Sequence, residues 1–169
     1  MHKQHLTKLS SLYIFGIAFG FVEATVVYYL RHLMITHAAY TTHYKTLLNL
    51  GFMTFIKPLN AVTVNPHIYH VEMFREAATI IMLLAISFIA GSNRRQRIGA
   101  FLVSFACWDI MYYVFLKVLE NWPATLFTKD VFFLIPVPWI GPVITPVVIS
   151  TILLILGTKL YLSPQHHKH

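Results

Sequence analysis

Residues 98–119 read IGAFLVSFACWDIMYYVFLKVL, an almost unbroken apolar run with one acid, Asp109, and one base, Lys117. About 20 mostly apolar residues are enough for one helix to cross the hydrocarbon core of a bilayer. The run therefore predicts a transmembrane helix with an acid near its middle. A charge at that depth costs about 2.5–3.5 kcal/mol even on the lenient insertion scale, so the surroundings of Asp109 become the central question.

The rest of the chain has the composition of a membrane protein. Of its 169 residues, 57% are hydrophobic and only 11% are charged, whereas soluble domains contain about 25% charged residues. This composition excludes an ordinary soluble domain and a disordered chain. The formal charge of +7 does not indicate a nucleic-acid partner, because Lys and Arg lie at the edges of apolar segments rather than on one polar face. The predicted partner is the lipid bilayer.

Four segments are long and apolar enough to span the membrane, which predicts an all-α fold. We expect one membrane domain, residues 1–169, built as a polytopic bundle of transmembrane helices. The predicted spans are 9–33, 72–91, 98–119 and 140–162.

Two stretches between the spans are not transmembrane helices. Residues 34–71 are polar enough to form a long outer loop, and within them 44–56 are compatible with a short helix on the membrane surface. Residues 123–138 are predicted to be a broken segment, either re-entrant or interfacial, because prolines exclude a straight helix. Four prolines fall within eleven residues at the end of this segment and just after it: Pro136, Pro138, Pro142 and Pro146.

The distribution of basic residues predicts the orientation of the bundle. The short loop between the second and third spans contains Arg94, Arg95 and Arg97, and such a cluster favours the cytoplasmic side. With four spans, both termini share that side. We therefore expect a multi-pass protein of the bacterial inner (cytoplasmic) membrane, with both termini cytoplasmic and 34–71 and 123–138 facing outward.

With this topology, the charged and polar residues of the spans fall between the membrane midplane and the outer surface. Their shared depth predicts an outward-facing polar pocket. The candidate pocket residues are Glu23, Arg31, Glu72, Arg75, Glu76, Asp109, Tyr112, Tyr113, Lys117 and Asp130.

The spacing of these residues places them on common helix faces. Asp109 and Tyr113 stand four apart, and a second stripe at i, i+3, i+4 and i+7 is formed by Glu72, Arg75, Glu76 and Thr79. Gly16 and Gly20 permit close contact with another helix just below Glu23. Glu23 is therefore expected to face a neighbouring helix rather than lipid.

Two interpretations of the buried charges remain open. The first is structural, since ion pairs can fix the register of helices without performing chemistry. The chain supplies three bases for three acids at similar depth: Arg31, Arg75 and Lys117 for Glu23, Glu76 and Asp109. The second is functional: a buried carboxylate can exchange protons, and a polar pocket could bind or move a proton, an ion or a small polar solute.

Other functions are compatible with the same residues. One alternative is a membrane-embedded enzyme acting on a lipid or isoprenoid, with Asp109 or Glu76 as general acid or base. Another is an accessory subunit of a larger membrane complex, and transport by so small a chain would itself need a homo-oligomer or such a complex. His67 and His70 are weak candidates for a metal site, because no tight ligand pattern surrounds them. No cofactor is indicated.

Several short motifs resemble an uncharacterised family of small bacterial integral membrane proteins with four spans. The motifs cover most of the chain outside 34–71, and they are 21–24 (FVEA), 75–79 (REAAT), 108–113 (WDIMYY), 122–123 (WP) and 130–142 (DVFFLIPVPWIGP). The resemblance implies the four-span fold and no particular activity. Asn121 stands where a glycine would be more usual, which puts the turn at that position in question.

Overall fold

The computed structural model describes residues 2–33, 44–58 and 66–163, which form four long helices and one antiparallel sheet. The helices are α1 (His2–Leu33), α2 (Pro66–Ala90), α3 (Arg94–Glu120) and α4 (Ile144–Leu162). The strands are β1 (Tyr44–Asn49), β2 (Thr54–Pro58), β3 (Lys129–Phe133) and β4 (Trp139–Pro142). All four helices are long and apolar enough to cross a membrane. The chain is thus a multi-pass helical membrane protein, as the composition predicted.

Helix α3 is the central helix and packs along both α1 and α4, with α2 on a further side. Glycines allow the closest approaches. A Cβ atom at Gly16 would lie 2.7 Å from the Cβ of Cys107, and one at Gly20 would lie 2.8 Å from the Cβ of Met111. The predicted close contact at Gly16 and Gly20 is confirmed, and its partner is α3. Because Glu23 follows one turn later, it is buried between helices.

The ends of α3 are capped by asparagines. Asn93 precedes the helix, and its side chain accepts a hydrogen bond of 3.0 Å from the backbone N–H of Gln96. Asn121 follows the helix in the left-handed conformation, with φ of 54°, and its N–H donates to the Lys117 carbonyl at 3.1 Å. Asparagine is the residue that most often replaces glycine in this conformation. The turn therefore keeps the geometry that a glycine would give.

Both long connections meet at the same end of the bundle, where α1 and α3 finish and α2 and α4 begin. The hairpin β1–β2 belongs to the first connection and β3–β4 to the second, and they join in one sheet of order β1-β2-β4-β3. Phe55 pairs with Trp139 across the junction. We call this end the sheet end, and the opposite end, where residues 91–93 connect α2 to α3, the turn end.

The predicted short helix at 44–56 is wrong, because these residues form the hairpin β1–β2. Gly51 makes the turn with φ of 83°, a conformation that suits glycine. Its N–H donates to Asn49 Oδ1 at 2.8 Å. Residues 34–43 and 59–65 of the predicted loop lie outside the described residues. Helix α2 begins at Pro66 rather than at 72, since proline is favoured in the first turn of a helix.

The predicted broken segment 123–138 is indeed not helical, and its re-entrant or interfacial placement stays a prediction. Residues 129–133 form β3, and Trp139 begins β4 after a set of bends. The last span starts at Ile144 rather than at 140 because residues 139–142 pair with β2 and β3. Pro146 fits the first turn of α4, where its missing N–H leaves no helical hydrogen bond unmade.

The apolar core lies at the turn end. Residues from all four helices form one buried cluster, with the members Leu9, Leu12, Ala90, Ala100, Val103 and Tyr161. The Tyr161 hydroxyl donates to the Ala90 carbonyl at 3.1 Å, so the one polar group of this cluster is satisfied. Few charged side chains enter this half of the bundle, which leaves the sheet end for the polar residues.

Candidate functional site

All of the chain's six acidic residues lie in the half of the bundle toward the sheet end. We call them the carboxylate layer: Glu23, Glu72, Glu76, Asp109, Glu120 and Asp130. The deepest is Asp109, near the middle of α3. There the Ser150 hydroxyl, from the second turn of α4, donates to Asp109 Oδ2 at 2.7 Å.

The first ion-pair group joins α1 to α2 and is centred on Arg75. Its Nε donates to Glu72 Oε2 at 2.7 Å, and its Nη1 donates to Glu23 Oε2. Thr79, one turn further along α2, donates to the other oxygen of Glu23 at 3.2 Å. The predicted stripe on α2 is therefore confirmed for these residues. The Glu23 side chain is only 9% exposed, so it faces the neighbouring helix and not lipid.

The second ion-pair group is centred on Arg31 and joins the ends of α1 and α3 to the sheet. Arg31 Nη1 donates to Glu120 Oε1, and its Nη2 lies 3.8 Å from Asp130 Oδ1. The guanidinium also stacks on the Trp122 ring, 4.0 Å from its centroid. The Tyr113 hydroxyl donates to Asp130 Oδ2 at 3.0 Å. Asp130 is thus held by a base on one oxygen and a phenol on the other.

Neutral donors, rather than bases, hold two of the acids. Glu76 accepts hydrogen bonds from the backbone N–H of Leu134, at 2.8 Å, and from that of Ile135. Asp109 accepts from a hydroxyl group. Lys117 does not pair with Asp109, because its ammonium donates to the carbonyls of Asn121 and Pro123. Of the three bases at similar depth, only Arg75 pairs with one of those three acids, Glu23, among the described residues.

Asp130 lies in β3, outside the membrane-spanning helices, and its pKa is perturbed. Burial raises the pKa of this carboxyl from the ordinary value of 3.8 to about 6. The Arg31 guanidinium, the Tyr113 hydroxyl and the Val131 N–H oppose the rise, and the Glu120 carboxylate adds to it. Desolvation outweighs these favourable partners. The sheet end therefore contains an acid that changes charge in a mildly acidic range.

An aromatic wall on α3 supports β3 beside this acid. The Phe133 ring lies 6.4 Å from the Phe105 ring and 6.2 Å from the Trp108 ring, between centroids. Ser150 of α4 contacts Asp109 of α3, and the two helices are antiparallel. The helical rise along α4 down to this contact, added to the rise along α3 from Asp109 to Phe105, places Phe105 about 15 Å deeper than the start of α4. The Phe133 ring therefore reaches below the first turn of α4. The β3–β4 connection therefore packs against α3 below the start of α4.

The two tyrosines of α3 differ in their contacts. Tyr113 donates to Asp130. Tyr112 lies within electrostatic range of Asp130, Arg31 and Arg75. The buried Trp108 indole N–H has no hydrogen-bond partner among the described atoms. The polar contacts of the layer therefore run through Tyr113, and Trp108 belongs to the apolar wall.

Three participants in the layer were missed by the sequence-based analysis. Ser150 is a single hydroxyl in an apolar span, and only its position opposite Asp109 gives it a role. Glu120 was not among the candidate pocket residues, although it pairs with Arg31. The N–H groups at 134–135 belong to the backbone, so no residue type could have indicated them.

The described residues contain no group of three His, Cys, Asp or Glu side chains that could hold a metal ion. His67 and His70 lie in the first two turns of α2 and are exposed.

Comparison with known protein families, with curated proteins and with solved structures finds no match for this chain.

Proposed function

We propose that the carboxylate layer is an outward-facing polar site that binds or moves a proton, an ion or a small polar solute across a bacterial inner membrane. Among these, a proton or a cation fits the layer best. The supporting observation is the charge balance: among the described residues, four of the six acids pair with the arginines Arg31 and Arg75, and Glu76 and Asp109 are left over.

The imbalance matters because a carboxylate removed from water is costly unless it is neutralised. Within the described residues, neither Glu76 nor Asp109 forms an ion pair with a base. Hydroxyl and amide donors reduce the cost of the charge but do not cancel it. A bound proton or a small cation would cancel it, which is why this chemistry is favoured over an anionic ligand.

The proposed orientation rests on the basic residues of the turn end. Arg94, Arg95 and Arg97 are exposed there, at the end opposite to the carboxylate layer. Because such clusters stay on the cytoplasmic side, both termini are cytoplasmic and the sheet end faces outward. The layer then receives its proton or cation from the outside.

The binding part of the proposal is tested by infrared spectroscopy of the full chain in phosphatidylcholine vesicles. The pH, and then the sodium or potassium concentration, is varied, and the carboxyl stretching bands are followed. We expect a pH-dependent or cation-dependent band that is reduced in Asp109→Asn and in Glu76→Gln. Glu120→Gln is the matched control, because Glu120 is already paired with Arg31, and it should leave that band in place. A pH-dependent or cation-dependent band that is unchanged in both Asp109→Asn and Glu76→Gln would overturn the proposal.

Movement is tested separately with vesicles that contain a pH-sensitive dye and experience a potassium diffusion potential. If the layer conducts protons, the wild type acidifies the lumen faster than Asp109→Asn and faster than protein-free vesicles. Equal rates in all three samples would limit the function to binding.

The alternative functions stay predictions. A lipid-processing enzyme would need an apolar tunnel that ends at Asp109. An accessory subunit would need a free face of small residues, but Gly16, Gly20, Gly99 and Gly157 are all used in contacts within the chain. The charge balance therefore favours proton or cation binding.

A further inference from the structure

The sheet end exposes a group of large apolar side chains that do not belong to the transmembrane helices. Phe52 is 51% exposed, and Phe127 is 78% exposed. Together with their exposed neighbours on the hairpin and in the connection before β3, they form what we call the apolar collar: Leu47, Leu48, Leu50, Phe52, Leu126 and Phe127. An exposed patch of this kind on a protein usually marks an interaction surface.

Hydrogen bonds fix the height of the collar relative to α4. The Thr145 hydroxyl, in the first turn of α4, donates to the Phe52 carbonyl at 2.9 Å. The N–H of Ile144 donates to the Leu126 carbonyl at 2.8 Å. These two bonds place Phe52 and Leu126 of the collar beside the first turn of α4.

The length of α4 places that point at the membrane boundary. The helix has 19 residues, and at about 1.5 Å per residue it is only about as long as the hydrocarbon core is thick. Its first turn must then lie at the edge of the core. Phe52 and Leu126, which are bonded to that turn, lie at the same level.

Basic residues accompany the collar. Lys45 and Lys57 are exposed on the hairpin β1–β2, and Lys129 is exposed at the start of β3. Apolar side chains beside lysines are typical of segments that lie in the headgroup region of an anionic bilayer. A surface exposed to water would not need the apolar side chains, and a surface that binds an apolar protein partner would not need the lysines.

We propose that the apolar collar inserts into the headgroup region of the leaflet at the sheet end, and that the neighbouring lysines bind the phosphate groups of anionic lipids. The membrane then holds the sheet in place over the carboxylate layer. The inference does not depend on whether the layer binds protons, because it rests on the collar's exposure, height and charge.

Spin labels test the insertion in the full chain reconstituted into vesicles of phosphatidylcholine and phosphatidylglycerol. The single native cysteine is removed by Cys107→Ser, and labels are attached in the variants Phe52→Cys and Phe127→Cys. Ile81→Cys, in α2 and 64% exposed, is the lipid reference. Ser92→Cys, exposed at the turn end, is the water reference. Each variant is used after its circular dichroism and gel-filtration profile match those of the unlabelled chain.

The measurement is the accessibility of each label to molecular oxygen and to a water-soluble nickel chelate. For both collar positions we expect an oxygen-to-nickel ratio between those of the two references. A ratio equal to that at Ser92→Cys overturns the proposal, because the collar then lies in water. Exclusion of both reagents also overturns it, because protein, such as a second copy of the chain, then covers the collar.

The lipid-phosphate part is tested by repeating the measurement without phosphatidylglycerol and with Lys45→Gln combined with Lys57→Gln. Either change should shift the collar labels toward the water reference. Unchanged ratios under both conditions would show that the lysines do not bind anionic lipid.

Discussion

At the turn end the helices meet through apolar side chains and glycines, whereas at the sheet end they meet through carboxylates, arginines and hydroxyls. Gly99 and Gly157 bring α3 and α4 together at the first end. At the sheet end, Arg75 links α2 to α1, and Arg31 links α1 to the sheet. The same four helices therefore use two different kinds of contact along their length.

The difference follows from what lipid can and cannot provide. Lipid tails are as apolar as leucine, so helices at the turn end gain stability from close packing rather than from escape from water. At the sheet end, each buried carboxylate needs donors. The β3–β4 connection provides two of them to Glu76. The sheet thus helps to supply donors to the buried carboxylates, and the described residues form no such sheet at the turn end.

The largest expected effect is the loss of the shared base in Arg75→Met. This change leaves Glu23 and Glu72 without their cation, and removal of one partner from a buried ion pair costs about 3–5 kcal/mol. We expect thermal unfolding in detergent, followed by circular dichroism, to show a loss in this range. Lys129→Met, an exposed base at the same end, should change little.

A second substitution identifies the cause of that loss. In Arg75→Met combined with Glu23→Gln, the buried charge left behind is removed, so much of the stability should return. If the double variant is no more stable than Arg75→Met alone, the arginine acts through packing and the contrast between the two ends is weaker than proposed.

The next effect concerns the apolar end, in Gly99→Val. A Cβ at this position would lie 2.6 Å from the backbone nitrogen of Tyr161 and 2.8 Å from the Gly157 carbonyl oxygen. Neither backbone atom can move aside cheaply, so we expect a loss of about 2–3 kcal/mol in the same unfolding measurement. Ala85→Val, on the exposed face of α2, is the matched control. Equal stability of the two variants would show that the turn end is not closely packed.

The smallest effect is the pH dependence at Asp130. Its pKa is raised by burial to about 6, so the folded chain holds this proton more tightly than the unfolded chain does. The resulting stabilisation is fully present below the ordinary pKa and is lost as the pH rises through about 6. Between about pH 5 and pH 7, the wild type should lose about 1 kcal/mol that Asp130→Asn does not lose. An identical pH profile for both proteins would contradict the assignment, and Lys129→Met should keep the wild-type profile.

The sequence predicted the bundle better than the contacts. Four long apolar runs are a strong signal, because a helix of about 20 apolar residues has few alternatives to crossing a bilayer. The predicted helix boundaries were wrong where local chemistry decides them, as at Pro66 and at 139–142. The sheet was missed because β1 is exposed on both faces, so it lacks the alternating pattern that identifies a half-buried strand.

The sequence predicted the level in the bundle at which the candidate site lies, but not all the contacts between its residues. Helical spacing correctly grouped Glu72, Arg75 and Thr79 on the face toward Glu23. Lys117 lies two turns beyond Asp109 on the same helix face, yet its flexible side chain donates to the carbonyls of Asn121 and Pro123 just after the helix. Long side chains reach several neighbours, so helical position alone does not select a partner.

The sequence by itself determined that this chain spans a membrane four times and that all its acids lie toward one end, because hydropathy and helical rise depend only on the order of residues. The tertiary structure alone decided which acids share the two arginines, that Ser150 meets Asp109, and that a sheet joins both connections. Those contacts link residues far apart in the chain, and the packing of glycines and the pairing of strands bring them together.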